Sequence, residues 1–160
     1  MRKSIIAILM IFCLSIMTYA QTPRDRATEL KEQAQSSLNQ KDYIKARYLF
    51  KKAYEAFATR ENYPQAIECG VQANALYVRE NFYKEGFELC RDMDQLIWAG
   101  EQNQKKVFYD LRFLVNKERL QMYTALKNPA QAKTQLNKLE ETANLAKNDS
   151  LTEVLLYTKA

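Results

Sequence analysis

The chain has 160 residues, 47% of them hydrophobic, and a formal charge of +5. That apolar content suffices for one packed domain and excludes wholesale disorder. The lack of any histidine removes the commonest general base and metal ligand, and with it Ser-His-Asp and Cys-His catalysis.

The first 20 residues form a unit of their own. A basic start (Arg2, Lys3) leads into an apolar run from Ile5 to Met17 and then Thr18-Tyr19-Ala20, with small residues at the −3 and −1 positions. This is the layout of a secretory signal peptide cut after Ala20, and the run is short for a helix crossing ~30 Å of hydrocarbon. A cleaved signal is the first reading and an uncleaved anchor the second. Cys13 lies inside the run and not at the cleavage point, so it is no lipoprotein cysteine. Loss of Arg2 and Lys3 from a balance of 24 basic and 19 acidic residues leaves +3. An excess of that size bears on solubility and is no nucleic-acid footprint. Export to a periplasmic or extracellular place would let Cys69 and Cys90 oxidise. Their offsets from the intervening turn differ by about one helical turn, so two buried thiols stand as the alternative to a disulfide.

The remainder reads as all-α. Three Gly and three Pro punctuate it, and Ala, Leu, Lys, Glu and Gln outweigh Val and Thr. Start signals recur along the chain: Thr22-Pro23 with Asp25, then Asp42, Asn62 before Tyr63-Pro64, Asn81, Asn128-Pro129, and Ser150 with Glu153 at capping-box spacing. Gly100 is read as a helix stop. The apolar spacing between these signals is helical, as in Leu30-Ala34-Leu38 or the stripe of Val107, Phe108, Leu111, Leu114, Val115, Met122 and Leu126. Seven helices are predicted, at about 23–39, 42–59, 63–79, 82–99, 103–126, 129–147 and 150–160. Their short joins require successive helices to run antiparallel.

The helices repeat in pairs. Aligning Tyr43 with Tyr83 sets Ala46 on Gly86, Leu49 on Leu89, Phe50 on Cys90 and Ala53 on Met93. Aligning Pro129 with Tyr83 adds Ala132, Leu136 and Leu139 as a third copy. A small residue lets two helices approach closely, and a larger one fills the space a turn further on. A lone hairpin cannot bury its apolar face, so hairpins stack. Ala34, Tyr43, Ala46, Phe50 and Ala53, with the inter-helix stretch "KDYIKA", resemble the tetratricopeptide-repeat (TPR) family. The resemblance covers most of 21–160 and is closest in the first pair. Ala58 stands where the family places proline, and the periods of about 40 and 46 residues exceed its usual one.

The resemblance implies a right-handed α-solenoid of three hairpins, at about 23–59, 63–99 and 103–147, with the start of a fourth at 150–160. It also implies a groove lined by the first helix of each pair. The positions it marks are Lys31, Gln35 and Leu38, then Val71, Ala75 and Arg79, then Lys117, Gln121 and Thr124. Gln35 and Gln121 replace asparagine and Val71 and Ala75 break the pattern, so the family's clamp for a terminal carboxylate is not expected. No glycine-rich phosphate loop and no zinc spacing occurs, and the paired acids Glu140-Glu141 and Asp92, Asp94 read as helix surface. The expected function is therefore an exported, non-enzymatic scaffold without cofactor or metal that binds a protein or peptide. The alternative takes the chain as the front, sensory part of a membrane-bound bacterial regulator, a histidine kinase or transcriptional regulator, with output parts beyond Ala160.

Overall fold

The computed structural model describes residues 25–159, so the signal-peptide reading of 1–20 and the Thr22-Pro23 start lie outside the described residues. Seven helices follow in order: α1 (Arg26–Asn39), α2 (Tyr43–Ala58), α3 (Tyr63–Arg79), α4 (Tyr83–Gln104), α5 (Tyr109–Ala125), α6 (Pro129–Ala146) and α7 (Asp149–Lys159). Among the described residues there is no strand, and no helix is long and apolar enough to cross a membrane. Each helix packs on the next, and α3 also packs on α5, which gives a repeat-like arrangement of helices.

One turn is used again and again. Lys41, Glu61, Asn81, Lys105, Lys127 and Lys147 all take positive φ, between 50° and 62°. The N–H after such a residue reaches back to the carbonyl five positions earlier, as in Asp42 to Ser37, Asn62 to Phe57, Phe82 to Tyr77 and Asn128 to Tyr123. This is the Schellman closure of a helix C-terminus. In three of these four joins the residue that closes one helix also caps the next with its side chain. Asp42, Asn62 and Asn128 accept from the N–H groups of Lys45, Gln65 and Gln131 at 3.2–3.4 Å. Two start signals move by one or two positions for this reason. Asn81 holds the left-handed position, not the cap, and Asn148 takes the N–H of Ser150 at 3.0 Å in place of a Ser150 box. A left-handed non-glycine residue costs about 1 kcal/mol, so Lys127→Gly is expected to raise the melting temperature by about 3 °C, read by circular dichroism.

The glycines serve packing, and none has positive φ. Gly100 lies inside α4, which continues four residues past it, so the predicted helix stop is overturned. A Cβ there would meet Phe108 at 2.8 Å and Tyr63 at 3.0 Å, because the two rings close on the bare backbone. At Gly86 a Cβ would meet Met122 Sδ at 2.8 Å and Asn74 Oδ1 at 3.1 Å, so the missing side chain lets α4 approach α3 and α5 together. Gly100→Ala gains about 1 kcal/mol of helix propensity and forces two rings apart at a cost of about 1–3 kcal/mol. The net expectation is a destabilised protein, measured by urea unfolding.

The core divides at α5. A larger cluster joins α1 to α5, with Phe50, Ile67, Cys90, Met93, Val115 and Met122 at its centre. A smaller one holds Phe113, Leu120, Leu139, Ala143 and Leu155 from α5, α6 and α7. Val115 and Met122 face one cluster while Phe113 and Leu120 face the other, so α5 is apolar on two sides. The predicted ends of its stripe, Val107 and Leu126, fall outside the helix and are exposed. Ala46 and Gly86 are buried as the repeat requires, whereas Ala132 is half-buried and borders an open apolar groove beside Leu136. Cys69 and Cys90 are buried free thiols, pushed up to about 11 and about 12 by burial, and so inert near neutrality.

Candidate functional site

The nine groove positions do not gather in one place. Lys31 is occupied: its Nζ donates to Gln65 Oε1 at 2.8 Å and to Glu68 Oε2 at 2.7 Å, tying α1 to α3. Gln35 is exposed and donates to Asn39, while Leu38 and Val71 are half-buried against the larger cluster. Ala75 is exposed, and the guanidinium of Arg79 lies 3.9 Å from the centre of the Tyr43 ring. Lys117 is half-buried. Gln121 and Thr124 alone share a depression, the apolar groove between α5 and α6, and Thr124 Oγ1 donates to its own helix at Leu120 O.

A better-formed cleft of about 460 Å³ opens where α4 and α6 diverge over α5. α4 carries Asp94 and Trp98 along one wall, and Trp98 is 62% exposed. On the floor, Tyr109, Arg112, Asn116 and Arg119 recur at three- and four-residue steps, the spacing of a single helix face. The far wall is Lys138, Glu141 and Leu145 of α6.

Both arginines are fixed from α4. Glu101, itself buried, accepts from Arg112 Nε at 2.7 Å and from the Phe108 N–H at 2.8 Å, and pairs with a second guanidinium nitrogen. The Arg112 hydrogen bond holds the Glu101 carboxyl below the usual carboxylate range. Arg119 pairs with Asp94 and donates to the Cys90 carbonyl at 3.0 Å. The cleft thus offers an aromatic wall, a floor of ion-paired guanidinium groups and the amide of Asn116. It suits a ligand with an apolar face and polar edges. Among the described residues no group of three His, Cys, Asp or Glu is placed to hold a metal ion.

None of these lining residues is among the nine marked positions. The sequence does carry one cue. Cys90, Met93 and Ile97 set the buried stripe of α4, and Trp98 falls one position off it. A large aromatic beside a buried stripe, not on it, is a cue to exposure. No protein-family model, curated protein or solved structure matches the chain.

Proposed function

We propose that the protein is an exported, non-enzymatic scaffold of TPR-like helix pairs that binds a peptide or protein segment. The α4–α6 cleft carries this reading: an exposed tryptophan and an exposed leucine face each other across guanidinium groups already locked in place. Side chains that are ordered beforehand lose little entropy on binding, and exposed aromatics supply contact area with few rotatable bonds. The repeat-like packing and the shared turns support a rigid platform.

Trp98 is the only tryptophan, so its fluorescence reports on this cleft alone. Peptides selected from a displayed random library are expected to shift Trp98 emission and to lose at least about tenfold in affinity against Trp98→Ala or Lys138→Glu. Selected peptides that bind Trp98→Ala as tightly as the parent, with no change in emission, overturn the assignment.

A further inference from the structure

A second surface, along α2, differs from the cleft in charge and in the residues it exposes. Along the outer side of α2, Ile44, Lys45, Tyr48, Lys51 and Lys52 fall at helical spacing, Lys41 stands in the join before it, and all six are exposed. Ile44 is 68% and Tyr48 60% exposed, although α2 buries Ala46, Leu49, Phe50 and Ala53 on its other side. Phe82, at the next-but-one join, adds a third exposed apolar side chain.

The charge is concentrated here. Residues 41–55 hold five cations and two acids, while the rest of 25–159 holds 16 cations and 17 acids. The positive excess of the described residues therefore sits on this stretch, and the remainder is slightly negative. A notch of about 390 Å³ separates Ile44, Tyr48 and Lys51 from Tyr77 of α3. Its base is stiff, because the guanidinium of Arg47 lies 4.9 Å from the centre of the Tyr77 ring and 5.0 Å from that of Phe82, and pairs with Glu80.

We infer that this face docks an acidic segment of a partner protein that carries one large apolar side chain. The apolar side chain enters the notch beside Tyr48, and flanking carboxylates meet Lys45, Lys51 and Lys41. Charge complementarity selects an anionic partner. The recessed notch selects a side chain over a lipid surface, which would need apolar groups that project beyond the lysines. The site is independent of the α4–α6 cleft and stands or falls without it.

The probe is a short synthetic peptide of Asp and Glu with one central Phe, followed by amide chemical-shift mapping on the isotope-labelled protein. Shifts confined to α2, Tyr77 and Phe82 are expected, with affinity falling as salt is raised. Tyr48→Ala and the double variant Lys45→Glu/Lys51→Glu should each weaken binding by about tenfold or more. Both sites are exposed, so folding is retained, and Trp98→Ala should bind as the parent does. The proposal is overturned by shifts that lie elsewhere or are absent, by unchanged affinity in the double variant, or by the response arising with phosphatidylglycerol vesicles and not with the peptide.

Discussion

Phe113→Ala is expected to cost about 3–5 kcal/mol and to loosen the molecule unevenly. Phe113 is the largest side chain of the smaller cluster and is 1% exposed. It clusters with Leu120 on the same helix, Leu139 and Ala143 on α6 and Leu155 on α7. The first cluster keeps its own α5 contacts through Val115 and Met122. Amide exchange followed by mass spectrometry should therefore quicken in α6 and α7 well before α1–α4, because α5 is the helix that contributes to both clusters. Equal loss of protection along the whole chain would show instead that the two clusters melt as one.

The second large effect lies at Glu118. This carboxyl is 4% exposed, between α3 and α5, and its partner Asn74 is fully buried. Asn74 Nδ2 donates to Glu118 Oε2 at 3.1 Å, while Asn74 Oδ1 has no hydrogen-bond partner among the described residues. Burial raises the Glu118 pKa; the Asn74 hydrogen bond and the charge of Lys117 oppose that rise without cancelling it. A raised native pKa means that the protonated form favours folding. Its contribution is complete below the ordinary carboxylate pKa and is lost as pH rises through the native value. Glu118→Gln keeps the shape, removes the charge and brings an N–H donor to the same amide. The variant is expected to gain about 1–3 kcal/mol over the parent at neutral pH. The difference should vanish in acid, where the parent carboxyl is protonated. Urea unfolding across pH tests this, and a gap between variant and parent that ignores pH would sink it. Glu101 works in the opposite sense: its lowered pKa gives stability that is present at neutral pH and lost as pH falls through the native value. The comparison with Glu118→Gln, in which Glu101 is unchanged, cancels that second contribution.

Much of the framework was legible because it depends on local rules. Capping residues at Asp42, Asn62 and Asn128 have a mechanism that needs only their immediate neighbours, and the small residues at 46 and 86 announce close approach wherever the helices meet. What was not legible has a different cause. Gly100 has the look of a stop, and only the two rings that converge on it from α3 and the α4–α5 join explain why it lies within a helix. The burial of Glu118 has no local cue, because the asparagine beside it comes from a different helix. The two acceptors that Lys31 finds on α3 are likewise beyond any local pattern. The double-sided burial of α5 blurs its apolar stripe, so the division of the core could not be read from periodicity. The cleft depends on how far α4 and α6 diverge, a matter of three helices at once.

The shared turns bear on which changes of length this chain can accept. Where one residue both seals a helix and starts the next, no slack lies between them. One extra residue would turn the following helix by about 100° about its axis and swing its apolar side away from the seam. Lys106 and Val107 are the exception, standing between the left-handed Lys105 and the cap at Phe108. The passage from α4 to α5 is thus the place where an inserted loop could be absorbed without spoiling the register of the helices on either side.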